Sequence, residues 1–548
     1  MKKALLALSC VVALGNFSFS QQRMSIPPDQ PKLIVEIIVS QMRYDYIHRY
    51  WDKFGEGGFK MLVSEGAFCK NARFNYLLTQ SYPGLATIST GSNPMIHGII
   101  SNKWYSKIDG QEIDAVADDK MSTVGGSYFS GKFSPKNIST STFGDELALY
   151  DPLSKVIGVS LDPGSSILTT GHNPTGAYWF DADKGNWVSS SFFMSNLPSW
   201  ADTFNTKKFA SLYVNREWTA SRPINSYDEA DTNKVKAPEV KKKLVDKLKS
   251  MLDGVIHQKS QILSYSSLLE SPYGNLLTKD FAIASIVGEN LGADEHTDLI
   301  SITFSAMRNI GFKYGPQSIE VEDTYLKLDK ELAHFLEFLN TTVGRENVLV
   351  VLTSDQGIAS TPSYLEKSKI PGGYFEPTKA MALLGSYLKA IYGQGNWVVA
   401  YHEKQIYLNH RLIEDSNFKL AEIQQKIADF MLEFSGVSNA ITGSTLQSSN
   451  FTSGIFEKFQ NSYNQRRSGD IIINLEPGWV ESNGGVTSGN SAYNYDVHVP
   501  LIWYGWKIKR RSILSPVNMT DISPTLSTLL GITWPNGATG NPIKELIE

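Results

Sequence analysis

Metal and thiol chemistry both need donors gathered at recognisable spacing, and the nine histidines of this 548-residue chain are not gathered in that way. His48, His257, His296, His334, His402 and His410 show no short-range ligand spacing of a recognised kind. Cys69 lies between Phe68 and Lys70 with no histidine nearby in sequence, the pattern of a buried, unreactive thiol. The only other cysteine, Cys10, falls in an apolar N-terminal run, so once that run is removed no internal disulfide remains. Chemistry must then come from hydroxyl, carboxylate and cationic side chains that the fold brings together.

The elements that would do so are apolar runs rich in branched residues. The first, Leu33 to Val39, carries Glu36 as its only charge and reads as a strand buried on both faces. Similar runs occupy Lys155 to Leu161, Asp298 to Phe304, Asn347 to Thr353 and Val499 to Tyr504, with a helical stretch from Ser318 to Leu339 among them. Strands alternating with helices predict a layered α/β sheet whose ligand site lies at the strand C-terminal ends. Stretches at about 175–290 and 365–470, rich in Ser, Asn, Tyr and Trp, read as insertions capping that sheet. Within them, Asn205 to Lys249 reads as solvated helix and loop. Trp187, Trp200, Trp218, Tyr374 and Tyr463 offer a ligand surface, although aromatic residues more often fill cores. No internal repeat or low-complexity segment is present.

A formal net charge of -4 gives no electrostatic reason to expect nucleic acid. Lys2 and Lys3, the apolar run Ala4 to Leu14 and the small residues Ser18 and Ser20 read as a signal peptide over residues 1–20, cleaved near Gln21. No later stretch reaches the roughly 18 apolar residues a membrane helix needs. The expectation is an exported chain with one domain over 21–548.

The segment after the first strand, Ser40-Gln41-Met42-Arg43-Tyr44-Asp45-Tyr46, and the segment Ser89-Thr90-Gly91-Ser92-Asn93-Pro94-Met95-Ile96-His97-Gly98 continuing to Asn102 carry a resemblance. Together with Gly144-Asp145-Glu146-Leu147, Gly171-His172, Ala177 to Asp181, Ser318 to Tyr325 and Asn518-Met519-Thr520-Asp521-Ile522, in that order, they resemble the bacterial PafA-like phosphatases of the alkaline phosphatase superfamily. The resemblance runs from about residue 33 to the C-terminus. It implies an α/β/α sandwich with a largely parallel central sheet and inserted caps. It also implies two zinc ions held by Asp and His at strand ends, with a Thr or Ser between them attacking phosphorus.

Position by position, the implied site is depleted. Ser40 stands where the family has an Asp ligand, and Ser81, in Gln80-Ser81-Tyr82-Pro83-Gly84-Leu85, stands at the nucleophile turn. Arg308 and Phe312 replace an Asp and a His, Gln356 and Ser488 replace two more His, and only Asp355 survives of six ligands. A cation and a phenyl ring do not bind zinc. Asp162 and Gly164 align with the Lys and Arg that grip phosphate, while Asn102, a phosphate-contacting position, is retained. Arg308 is expected to extend into the vacated metal position and pair with Asp355, because an unpaired buried carboxylate is costly. His97, His172 and His498 fall in retained motifs and are expected to be packed and hydrogen-bonded.

These losses point to a catalytically inactive relative without cofactors. It would serve as a binding or scaffold subunit of an exported or outer-membrane assembly, in the periplasm, at the outer membrane or on the cell surface. Its partners would be other envelope proteins, with no nucleic acid and no transmembrane segment. Two alternatives are a metal-independent phosphate or sulfate ester hydrolase using Ser81, and a ligand-binding protein without turnover.

Overall fold

The computed structural model describes residues 29–228, 255–257, 264–482 and 484–548. The signal-peptide reading of residues 1–20 lies outside them, as does much of Asn205 to Lys249. Among the described residues no helix is long and apolar enough to cross a membrane.

Ten strands form the main sheet: β1 (Leu33–Val39), β2 (Ala67–Cys69), β3 (Thr123–Val124), β4 (Val156–Ser160), β5 (Gly176–Asp181), β6 (Asn186–Ser190), β7 (Asp298–Phe304), β8 (Val348–Thr353), β9 (Leu501–Gly505) and β10 (Arg511–Ile513). Across the sheet they run β10-β2-β9-β8-β1-β7-β4-β5-β6-β3. The centre, β8-β1-β7-β4-β5, is parallel, and β9, β6 and β3 supply antiparallel pairings toward the two edges. The expected α/β/α sandwich with a largely parallel sheet is the observed fold.

Strand β1 shows why the sheet is layered. Its side chains alternate with period two, Leu33, Val35, Ile37 and Val39 entering one core while Ile34 and Ile38 enter the other. The first core takes helices α1 (Asp45–Arg49), α2 (Phe59–Glu65), α5 (Ala306–Tyr314) and α6 (Ile319–Thr342). The second takes α3 (Ser81–Thr90) and α4 (Pro163–Thr170). A smaller four-stranded antiparallel sheet, Val398–His402, Gln405–Leu408, Val437–Thr442 and Ile471–Leu475, packs its own core with helices Pro377–Tyr392 and Leu420–Met431. Of the singled-out aromatics, Trp187, Trp218 and Tyr463 are buried, whereas Tyr374 is exposed.

Glu36 is the one charge in β1, opposite Ser301 of β7 and fully enclosed. Burial pushes its carboxyl from 4.5 up to about 7, offset only in part by the Ser301 hydroxyl opposite. Because the folded-state value is raised, the fold holds this proton more tightly than the unfolded chain does. Stability from this group is therefore full below pH 4.5 and is lost as pH rises through about 7. The variant Glu36→Gln should remove that slope, by up to about 3 kcal/mol, when urea midpoints at about pH 5 and about pH 8 are compared. An unchanged slope in the variant would refute the assignment.

Candidate active site

The C-terminal ends of β1 and β8 and the N-terminus of α3 meet at one carboxylate. Asp355, two residues past β8, is fully buried. Its Oδ2 accepts the Ser40 hydroxyl at 2.8 Å and also the Ser81 hydroxyl, and its Oδ1 accepts the Gln41 backbone N–H at 3.0 Å. Beside it, Ser354 Oγ accepts the Met42 N–H at 2.9 Å and donates to the Gln356 carbonyl at 2.7 Å. Gln41 adopts φ 59, a left-handed conformation rare for a side-chain-bearing residue, and it is this bend that turns its N–H onto Asp355.

Ser81 opens helix α3, and Gly84 sets how closely that helix approaches. A Cβ at Gly84 would lie 1.9 Å from the Asp355 carbonyl oxygen, so only glycine lets the first turn seat Ser81 against the carboxylate. Asn102 organises the same turn. Its Oδ1 accepts the Tyr82 N–H at 2.9 Å and its own N–H donates to Gln80 Oε1 at 2.8 Å, while its Nδ2 has no partner among the described residues.

The neighbouring charges differ from the sequence expectation. Arg308, in the first turn of α5, pairs directly with Asp162, Nη2 to Oδ1 at 3.3 Å, and not with Asp355. Asp355 is held instead by two hydroxyls and an amide from the β1 end and α3. Asp162 caps α4, its Oδ2 accepting the Ser165 N–H at 3.0 Å and hydroxyl at 2.8 Å, and its Oδ1 accepts the Tyr82 hydroxyl at 3.1 Å as well as Arg308. Burial opposes the Arg308 charge, but Asp162 first, with Tyr82 and Asp355 behind it, outweighs that and holds the guanidinium above the ordinary arginine value. Its Nη1 is buried with no hydrogen-bond partner. Asp162 is thus a helix cap whose charge is compensated by Arg308. Gly164 is enforced by Tyr82, whose ring would meet a Cβ there at 2.1 Å.

The remaining aligned positions do not converge on a donor set. Phe312 is half-buried and its carbonyl accepts the Val486 N–H at 3.0 Å. Gln356 and Ser488 are buried, the Ser488 carbonyl accepting the Ala359 N–H at 3.4 Å. Among the described residues no three of His, Cys, Asp and Glu gather as metal ligands. One carboxylate already holding three donors, beside a guanidinium, does not fit zinc.

The retained histidines are all hydrogen-bonded as expected, but only His97 is fully packed; His498 is half-buried and His172 is exposed. His97 accepts the Ile99 N–H at 3.1 Å and meets Thr87 Oγ1 at 3.2 Å, and burial pushes it down to about 3. His172 bonds Asp145 at 2.9 Å, and His498 bonds the Lys70 carbonyl at 2.9 Å. Cys69 is buried and pushed up to about 12, an inert thiol. Tyr82 and Gly84 are the site residues that sequence reasoning passed over; the one available signal was a glycine in the first turn of a helix opened by a serine.

A parallel-centred sandwich with a hydroxyl at a helix N-terminus facing a strand-end carboxylate has the architecture of the alkaline phosphatase superfamily. The chain belongs to the family described as Type I phosphodiesterase / nucleotide pyrophosphatase, which it matches over residues 34–492. It is 35% identical over 552 residues to alkaline phosphatase PafA of Elizabethkingia meningoseptica, covering 98% of each chain. It is 34% identical over 561 residues to alkaline phosphatase PhoV of Synechococcus elongatus, covering 100% of both. The crystal structure of wild-type PafA superposes with a TM-score of 0.88 over 96% of this chain and 100% of that one.

These relatives correct the reading of an inactive scaffold. Two relatives at this identity over nearly their full length are named alkaline phosphatases, and they point to a phosphoester hydrolase rather than to a binding subunit. The error lay in equating lost metal donors with lost chemistry, when a hydroxyl, a carboxylate and a buried cation remain close together.

Two outcomes test this geometry. Gly84→Ala should destabilise the fold by about 1–3 kcal/mol or more, because the clash is with backbone. Dialysis against a chelator should leave the thermal midpoint unchanged. Elemental analysis showing about two zinc ions per chain, the content of a working two-metal site, would contradict the misfit.

Proposed function

We propose that the chain is a phosphate-ester hydrolase whose nucleophile is Ser81 and whose proton acceptor is Asp355. The observation that carries this reading is the hydrogen bond from the Ser81 hydroxyl to Asp355 Oδ2, at the N-terminus of a ten-residue helix. In the forward step the Ser81 proton passes to Asp355 as the Oγ–P bond forms and the bond from phosphorus to the ester oxygen breaks. The leaving alcohol takes its proton from solvent. Water then attacks phosphorus and the Oγ–P bond breaks; Asp355 returns its proton to Ser81 Oγ, and hydrogen phosphate leaves as the attacking water loses one proton to solvent.

The unpartnered Nη1 of Arg308 and the free Nδ2 of Asn102 are the donors suited to the non-bridging phosphate oxygens. Ser81 is fully buried, so a substrate phosphate reaches it only by displacing Asp162 from Arg308 and moving Tyr82 aside. A dianion competes effectively for that guanidinium, which makes the ion pair an anion-responsive cover. The relatives' phosphatase activity supports the ester class. The basic start at Lys2 and Lys3 and the apolar run after it support an exported enzyme.

Purified protein should hydrolyse an aryl phosphate in the presence of chelator, and Ser81→Ala should lower kcat by about a thousandfold or more. Arg308→Ala should raise KM as well as lower kcat. Full turnover by Ser81→Ala, or loss of all activity on chelation, would overturn the proposal.

A further inference from the structure

A second anion site lies away from the Ser81 centre, and its argument does not depend on that centre. A cavity of about 480 Å³ opens between helices α1 and α2 and the β2–β10 edge of the main sheet. Lys70, Arg510 and Arg511 line it together with His48, and Trp51 and Phe68 supply aromatic wall. No carboxylate lines it. Nearby acidic groups are engaged elsewhere: Glu65 with Arg345 at 2.5 Å, Asp45 with Arg43 at 2.7 Å, and Glu545 with the Ser515 hydroxyl at 2.6 Å. Arg511 is anchored by the Glu545 carbonyl, which leaves part of its fork directed at the cavity wall. Among the described residues neither Lys70 nor Arg510 has a side-chain hydrogen bond or ion pair. Lys70 and Arg510 are thus uncompensated cations at a concavity on a chain of net charge -4, while Arg511 shares the field of Glu545.

Charges along an open edge strand also discourage strand pairing. That role needs neither a concavity nor an aromatic wall beneath the charges. We infer that this cavity binds a small phosphate monoester carrying a ring. Guanidinium and ammonium groups suit the phosphate, and the partly exposed Trp51 suits the ring. The volume lies in the range of small-molecule sites.

The test is calorimetric titration of full-length Ser81→Ala, which cannot turn the ligand over, with a nucleoside monophosphate and separately with inorganic phosphate. Saturable binding is expected, tighter for the ring-bearing ligand, and weakened about tenfold or more when Lys70→Ala and Arg510→Ala are added. Any component that persists in that triple variant belongs to the Ser81 centre. Charge reversal by Arg510→Glu alone should weaken binding in the same direction, and both variants should keep parental circular dichroism. Equal affinity in the parent and in the triple variant, or no saturable binding up to about 5 mM, would overturn the inference.

Discussion

The site rests on a carboxylate that cannot be left alone. Asp355 is wholly out of solvent, where an uncompensated negative charge would cost several kcal/mol. Three donors from two separate segments hold it: Ser40 and Gln41 past β1, and Ser81 at the start of α3. Each of these segments is fixed by something larger, the parallel pairing of β1 with β8 and the close seating that Gly84 allows. The requirement to satisfy one carboxylate therefore dictates where two strand ends and one helix end meet. The strained backbone at Gln41 is the local cost of that meeting.

The cation of Arg308 is compensated at the cap of α4 through Asp162, with the Asp355 charge acting behind it. The two carboxylates thus divide the work, one holding the hydroxyls and the other holding the guanidinium. Tyr82 joins them, since its backbone follows Ser81, its hydroxyl reaches Asp162 and its ring occupies the space that Gly164 leaves open. Removing any one member leaves a buried polar group exposed to the desolvation cost that the others offset.

Much of the sheet was legible in the sequence because central parallel strands are apolar on both faces. Leu33–Val39 and Asp298–Phe304 are observed with the bounds read from residue type alone, and Val348–Thr353 differs by one residue. The partnership of Ser81 with Asp355 was not legible, since 274 residues separate them and hydrophobic periodicity carries no information on which strand ends adjoin. Arg308 was assigned to the wrong carboxylate for a related reason. Substitution at an aligned position shows what is absent there, but the direction of a long side chain depends on which neighbours the fold places beside it. Counting lost ligands likewise said nothing about whether a hydroxyl and a carboxylate stayed in contact.

That contact also bears on how the same fold can be organised around different electrostatics. In a two-metal centre the positive charge beside the nucleophile is supplied by ions that need several anionic and imidazole donors. Here the buried positive charge is covalently part of the chain, at Arg308, and its partner at Asp162 is a helix cap that also serves the fold. A guanidinium needs no ligand set, so the positions that would otherwise be donors are released to become Gln356, Ser488 and Phe312, residues that pack or hydrogen-bond through their backbone. The exchange has a physical limit. A guanidinium offers directed hydrogen bonds and charge but does not lower a bound hydroxyl's pKa as a metal does. On the proposed mechanism Asp355 takes the Ser81 proton itself, which requires the hydroxyl, the carboxylate and the seating glycine to be kept as one unit.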